Sequence, residues 1–322
     1  MTTTSIGKTD LRVSRLCLGT MTFGWTADEP TAFDIMDTAL DGGITFFDTA
    51  NIYSTWVDGN SGGESETIIG RWLAARGNRD RVVIATKVRG QMWDCSDGSG
   101  LSRTHIVRAV EDSLRRLQTD YIDLYQSHWY DENTPIEETL AAFDHLVQSG
   151  KVRAIGASNH PAWRLTKSLW QSDVHDTVRY ESLQPHYNLL HRAEFETELR
   201  DLCADQSISV IPYSPLAAGF LTGKYFREAG TNGAITKFSG RVEKYVKDER
   251  AHDVMDVVRE IASYKGIVPG QVALAWLMAQ PTITAPIVGA RIPVQIVQAA
   301  GAMQTTLTDD EITRLNTVSE GF

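Results

Sequence analysis

Residues 82–128 read VVIATKVRGQMWDCSDGSGLSRTHIVRAVEDSLRRLQTDYIDLYQSH. The run 82–88 (VVIATKV) is β-rich and mostly apolar, and so is 122–127 (IDLYQS). Between them, over 104–117, Ile106, Val110, Leu114 and Leu117 recur at helical spacing and form one apolar stripe. Strand, amphipathic helix, strand is a βαβ unit. Runs that are mostly apolar rather than strictly alternating fit parallel strands covered on both faces.

The same alternation extends in both directions. Further strand candidates are 15–18 (RLCL), 44–49 (ITFFDT), 152–157 (VRAIGA), 182–186 (SLQPH), 209–214 (SVIPYS) and 284–288 (TAPIV). Thr134-Pro135-Ile136-Glu137 reads as a capping box with Pro at the first helical position. That helix is expected to stop at Gly150, with Ile136, Leu140, Phe143 and Val147 facing the sheet. A second capping box spans 308–311. Eight strand candidates alternate with helices and no composition break divides residues 1–322, so the expectation is a single-domain (β/α)8 TIM barrel. A doubly wound open sheet is the rival. The stretches 55–63 (TWVDGNSGG) and 216–250 are long for connectors. In a barrel both lie at the C-terminal face, where active sites sit.

Composition narrows the function. The 31 Lys+Arg against 41 Asp+Glu give a net charge of -10. That balance argues against general nucleic-acid or anionic-membrane binding, while leaving room for one basic pocket for a phosphate. Cys17, Cys95 and Cys203 are far apart and match no CxxC spacing, so neither a disulfide framework nor a zinc site is expected. No run approaches the ~18 apolar residues of a membrane span, and the first residues carry no secretory h-region. A reducing, cytoplasmic setting is the expectation. No GxGxxG follows a strand, and no Walker A, HExxH or GxSxG occurs. The 8 His show no dense ligand pattern, so no metal is expected.

What remains is a set of polar groups ending apolar strands: Asp48, Lys87 and His128, with Tyr53 in the loop just past Asp48. A charge there is costly unless paired, and a structural salt bridge is the plain reading of any one alone. Four on adjacent strands at one end point to a site. Together they make a proton donor. A tyrosine with an ordinary pKa of ~10 is a poor acid at neutral pH. An ammonium such as Lys87 lowers that value, and Asp48 can hold the ammonium in place. His128 can orient a carbonyl oxygen. This suits protonation of an oxygen that becomes an alkoxide as hydride arrives.

The sequence resembles the aldo-keto reductase superfamily over nearly its whole length. The resemblance is carried in order by residues 19–24 (GTMTFG), 47–53 (FDTANIY), 63–66 (GESE) with Gly70, 84–87 (IATK) and 120–128 (DYIDLYQSH). It continues through 156–159 (GASN), 184–188 (QPHYN), 213–216 (YSPL), 219–224 (GFLTGK) and 286–291 (PIVGAR). It is nearest to the bacterial and potassium-channel β-subunit-like branches. It implies reduction of aldehydes or ketones with NADPH, without metal, and a catalytic tetrad of Asp48, Tyr53, Lys87 and His128. It places the nicotinamide against Ser158, Asn159 and Gln184, with Tyr213 stacking on the ring, and puts Gly19, Thr20, Met21 and Asp48 among the cofactor-binding residues as well. The pyrophosphate falls on Ser214, Leu216, Gly219 and Lys224, and the adenosine end on Gly289, Ala290, Arg291 and Gln295. Arg291 suits a 2′-phosphate, which a guanidinium grips bidentately. Those branches often carry Glu-Asn after the Gln, where this chain has Gln298 and Ala299, so adenine is expected to be read differently.

Trp56, Trp93 and Trp129 follow the second, third and fourth strands and can wall a pocket for an apolar carbonyl substrate. Packing of loops between helices is their other reading. A competing function is a cofactor-sensing regulatory subunit, which would keep the tetrad. About fourteen residues precede the first barrel strand, enough for a small hairpin plug but not for a long blocking arm, which favours an enzyme. A barrel lyase or isomerase would leave Arg291 and Tyr213 unexplained.

Overall fold

The computed structural model describes residues 3–225 and 239–322, so part of the 216–250 connector lies outside the described residues. A hairpin of β1 (Thr3–Ser5) and β2 (Arg12–Ser14) opens the chain. Eight parallel strands follow: β3 (Cys17–Gly19), β4 (Phe46–Asp48), β5 (Val83–Val88), β6 (Ile122–Ser127), β7 (Val152–Ser158), β8 (Tyr180–Gln184), β9 (Ser209–Val210) and β10 (Ile287–Gly289). β10 pairs back onto β3. The remaining seam closes where Thr284 N donates to Val210 O at 2.8 Å and Ile287 N to Pro212 O at 2.9 Å. An open doubly wound sheet would leave two free edges. This one closes, and the fold is a (β/α)8 barrel.

Helices α1 (Glu29–Asp41), α2 (Glu64–Arg76), α3 (Arg103–Leu117), α4 (Ile136–Gln148), α5 (Ala162–His175) and α6 (Arg200–Gln206) alternate with the strands. After β9 come α7 (Ser239–Val246), α8 (Glu249–Lys265) and α9 (Pro269–Ala279), and α10 (Pro293–Ala300) and α11 (Asp309–Val318) end the chain.

β3 starts two residues later than expected and β4 is shorter at both ends, and three later strands differ from expectation at a proline. A proline has no N–H to give to a ladder. β8 is Tyr180–Gln184 rather than 182–186 because Pro185 ends it. β9 keeps only Ser209–Val210 of 209–214, with Pro212 just beyond. β10 starts after Pro286, at Ile287, not at residue 284. The capping box expected at 134–137 does not form. Thr134 instead donates its hydroxyl to Asp131 Oδ2 at 2.7 Å, and α4 starts without a side-chain cap. The box at 308–311 does form.

Strand periodicity then sorts side chains in and out. Cys17, Phe46, Ala85, Leu124 and Ala154 point into the barrel and pack with Ile6, Leu11 and Val13 of the hairpin, which floors it. Their neighbours Leu18, Phe47, Ile84, Tyr125 and Ile155 face the helices. Two residues further along each strand the same inward face carries Gly19, Asp48, Lys87, Gln126 and Gly156. An apolar floor therefore carries a polar layer directly above it. Gly156 makes room in that layer: a Cβ there would stand 2.4 Å from Ser182 Oγ and 3.0 Å from Gln126 Cγ.

Candidate active site

The polar layer is held together by one buried ion pair. Lys87 Nζ donates to Asp48 Oδ1 at 2.5 Å, to the Thr49 carbonyl at 2.7 Å and to Tyr53 Oη at 3.1 Å. An ammonium has three hydrogens, and here each has an acceptor. The other carboxylate oxygen, Asp48 Oδ2, accepts from Gln184 Nε2 at 2.9 Å and Gln126 Nε2 at 3.1 Å. Both charged side chains are at most 1% exposed. The strand ends themselves are tied: Thr49 Oγ1 donates to Ser65 Oγ at 3.0 Å, and Thr20 Oγ1 to the Asp48 carbonyl at 3.0 Å.

Burial alone would lower the Lys87 ammonium, but Asp48 and the Tyr53 oxygen more than offset it, and its pKa is raised. Tyr53 is also raised. Desolvation is the largest cause, and the Asp48 charge opposes the lowering by Lys87. The ammonium therefore does not depress the phenol on balance, contrary to the sequence expectation, because burial outweighs its lowering effect and the Asp48 charge adds to that of burial. Tyr53 is a neutral phenol at physiological pH.

His128 follows β6 and its ring meets Tyr53 edge-on, centroids 6.0 Å apart. Burial first, then Lys87 and Arg89, push its pKa well below the ordinary value, so the imidazole is neutral. Its Nδ1 is buried without a partner. His105, His160 and His186 are depressed as well, by burial foremost, His160 to about 4 and His186 to about 3. Below pH ~6.5 these rings are charged in the unfolded chain but neutral when folded. The unfolded state then binds more protons, so stability falls as pH falls, each ring adding up to about 1.4 kcal/mol per pH unit. Denaturant midpoints should decline steadily from about pH 6.5 to about pH 5, above the range where carboxylates dominate. A flat profile over that window would contradict the neutral burial of these rings.

The aldo/keto reductase family model matches residues 15–320. The chain belongs to this family. It is 43% identical to an uncharacterized oxidoreductase, YrpG, of Bacillus subtilis, over 99% of this chain and 96% of the relative. It is 35% identical to the aldo-keto reductase YhdN of the same organism, over 98% and 93%. It is 33% identical to the protein tas of Escherichia coli, over 98% and 97%. As a member of the aldo/keto reductases it is an NAD(P)H-dependent oxidoreductase.

The residues expected around the nicotinamide meet at the strand ends. Tyr213 Oη donates to Asn159 Oδ1 at 3.1 Å, and Asn159 Nδ2 donates to Ser158 Oγ at 3.0 Å and to the His128 carbonyl at 3.0 Å. Ser158 Oγ donates to the Gln184 carbonyl at 3.0 Å. The Tyr213 ring is braced from behind by His186, stacked 5.1 Å away. Gly19 lies beside Gly289 in the β3–β10 ladder, and a Cβ on Gly19 would stand 2.7 Å from Ile287 Cγ2. Two side chains expected at the cofactor are turned elsewhere: the Thr20 hydroxyl to Asp48, and the Gln184 amide nitrogen to Asp48 and Gln126. Met21 is partly exposed beside them.

Among the described residues nine non-glycine residues have positive φ: Gln118, Asp176 and Ser207 are helix C-caps, and the other six are Ser54, Arg89, Asn159, Ser214, Ala217 and Ala218. All six lie in loops that follow β4, β5, β7 and β9, at the rim around the tetrad. Strain of this kind collects where a fold holds a site. In the 214–219 loop, Gly219 N donates to the Leu216 carbonyl at 2.8 Å. A Cβ on Gly219 would stand 3.1 Å from Lys224 Nζ. Partial burial and the nearby Arg291 guanidinium lower the pKa of Lys224. Two cations that disfavour each other therefore lie beside a strained loop. The Arg291 N–H donates to Gln295 Oε1 at 2.8 Å, and the Ala290 carbonyl accepts from Thr22 Oγ1 at 2.7 Å. Ala299 is buried on the core side of α10, while Gln298 is exposed.

The three tryptophans part company. Trp56 meets Tyr53 edge-on at 6.3 Å and Trp25 at 5.5 Å. Trp129 stacks on His128 at 4.6 Å. Trp93 instead packs on α3, against His105 at 5.3 Å and under the Arg108 guanidinium at 3.8 Å, which is the loop-packing reading. Sequence reasoning missed Gln126, Trp25 and Arg89. Gln126 was findable: it lies two residues from Leu124 and shares its inward face. Among the described residues no group of three His, Cys, Asp or Glu side chains is placed to hold a metal ion, and no helix is long and apolar enough to cross a membrane.

Proposed function

We propose that the enzyme reduces aldehydes or ketones to alcohols with NADPH, and that Tyr53 gives the proton. One observation carries this reading. Tyr53 Oη accepts a hydrogen bond from Lys87, so the phenol's own hydrogen remains available to a substrate oxygen. Asp48 keeps Lys87 charged and fixed, with Gln126 and Gln184 holding Asp48. Nδ1 of His128 has no acceptor for a proton, which favours the Nε2–H tautomer. Such a ring orients a carbonyl oxygen as a donor without competing to protonate it.

When bound, the nicotinamide cofactor supplies a hydride to the carbonyl carbon. Charge then develops on the oxygen, and Tyr53 transfers its proton there. The Lys87 hydrogen bond stabilises the phenolate until solvent restores the proton. Tyr213, Ser158 and Asn159 hold the nicotinamide end in this reading. Ser214, Leu216, Gly219 and Lys224 hold the pyrophosphate, with Gly289, Ala290, Arg291 and Gln295 at the adenosine. Trp56 and Trp129 wall the substrate cleft. NADPH oxidation with a panel of aldehydes tests the whole. Cofactor binding without turnover on any of them would favour the regulatory-subunit alternative.

The choice of NADPH over NADH rests on Arg291 and Lys224 lying together in a chain of net charge -10. One charge-assisted contact to a 2′-phosphate contributes ~1.5–3 kcal/mol, about ten- to a hundredfold in affinity. Arg291→Ala should weaken NADPH by that factor and barely affect NADH, and rising salt should shrink the preference. Fluorescence titration of both cofactors decides it; equal losses would show that Arg291 does not read the phosphate.

A further inference from the structure

Arg89 is an exposed cation at the mouth of the cleft that the reduction chemistry does not use. It sits two residues past Lys87, just beyond β5, and the His128 N–H donates to the adjacent Val88 carbonyl at 2.9 Å. Its backbone has φ 132, a conformation that a side chain rarely adopts. The strain is pinned on both sides. The Arg89 carbonyl accepts from Gly100 N at 2.9 Å. The next residue, Gly90, lies so close to Ile52 that a Cβ would overlap its Cγ2 at 1.8 Å. Ile52 precedes Tyr53, so the segment bearing Arg89 is fixed directly against the segment bearing the proton donor.

The Arg89 side chain lines a cavity of about 430 Å³ with Trp129, Tyr130, Asp131, Glu132 and Asn133. Trp129 is the residue stacked on His128. Of the two acids in that lining, Asp131 feels the Arg89 charge, while its oxygens accept from Leu101 N, Thr134 Oγ1 and Asn133 N. No hydrogen bond or ion pair within the described residues occupies the guanidinium. Nor is Arg89 placed for the cofactor phosphates. β5 and β9 are four strands apart around an eight-stranded barrel, so Arg89 stands across the mouth from Lys224.

We propose that Arg89 anchors a carboxylate on the substrate, so that the preferred carbonyl compounds are oxo-acids and aldehydes with an acidic tail. This rests on the reductase reading above and names its substrate class. A planar guanidinium grips a carboxylate bidentately, and the aromatic face of Trp129 beside it suits the body of such a substrate. An exposed cation at the cleft mouth also favours the approach of an anion over a neutral analogue.

The test compares 4-carboxybenzaldehyde with 4-nitrobenzaldehyde, in wild type, Arg89→Leu and Arg89→Lys. Expected is a ratio of kcat/KM, carboxy over nitro, that falls about tenfold in Arg89→Leu, with the loss in KM, and only partly in Arg89→Lys. Arg89→Gly removes the charge and suits the backbone, and should reproduce the loss if the leucine variant folds poorly. Benzoate quenching of tryptophan fluorescence gives a readout without turnover, and it should weaken by a similar factor. An unchanged ratio together with unchanged benzoate binding overturns the anchor. If neither aldehyde is turned over while benzoate binding still depends on Arg89, the reductase reading fails and the anion site stands.

Discussion

Tyr53→Phe should lower turnover by ~10²–10⁴ while leaving NADPH affinity nearly unchanged, the range expected for loss of a positioned general acid. The substitution removes one oxygen and keeps the ring that packs on Trp56 and His128. Lys87 loses one of its three acceptors but keeps Asp48 and the Thr49 carbonyl. The cleft is open at Tyr53, so water can take the freed hydrogen, and the fold should survive. Steady-state kinetics at saturating cofactor, with a fluorescence titration of NADPH alongside, checks both halves. Near-normal turnover in the phenylalanine variant would remove Tyr53 from the mechanism. Wild-type pH dependence supplies a second check. The phenol is raised, so its protonated form persists above the ordinary pKa of ~10, and reduction should fall only at strongly alkaline pH. The neutral state of His128 predicts no acid-side gain from protonating it near pH 6.

How much of this was readable beforehand follows from what periodicity can and cannot carry. β5 and β6 were plain because their runs are apolar and free of proline. The later strands were misplaced by two to four residues because Pro185, Pro212 and Pro286 interrupt ladders inside runs that still look β-rich. That Asp48, Tyr53, Lys87 and His128 come together was legible because a charge ending an apolar strand is costly and therefore conspicuous. The support beneath it was not sought: Gln126 is a polar residue in a strand, and only its inward register beside Lys87 shows that it holds Asp48. Loop side chains follow no period at all. Trp93 and Trp129 both follow strand ends, yet one stacks on α3 and the other on His128. Arg89 gave no sign in the sequence, since its interest lies in a backbone angle and in the neighbours that fix it.

The second large effect concerns stability as much as catalysis. Lys87→Met removes the cation from a pair whose side chains are at most 1% exposed. Asp48 would then keep two amide donors, Gln126 and Gln184, but no counter-charge. A buried charge left without its partner typically costs 3–5 kcal/mol, roughly, well above the ~0.2–1 kcal/mol of an exposed pair. The methionine fills much the same space as the lysine stem, so little of this loss should come from a cavity. Adding Asp48→Asn removes the stranded charge and keeps an oxygen for the two glutamines. The double variant should therefore recover most of the lost stability, while its turnover stays as low as that of the single variant. Urea unfolding of wild type, both single variants and the double closes a thermodynamic cycle, and its coupling term should be several kcal/mol. Additive losses, or single variants that each cost less than about 1 kcal/mol, would mean that the pair is screened and not buried as the barrel geometry requires.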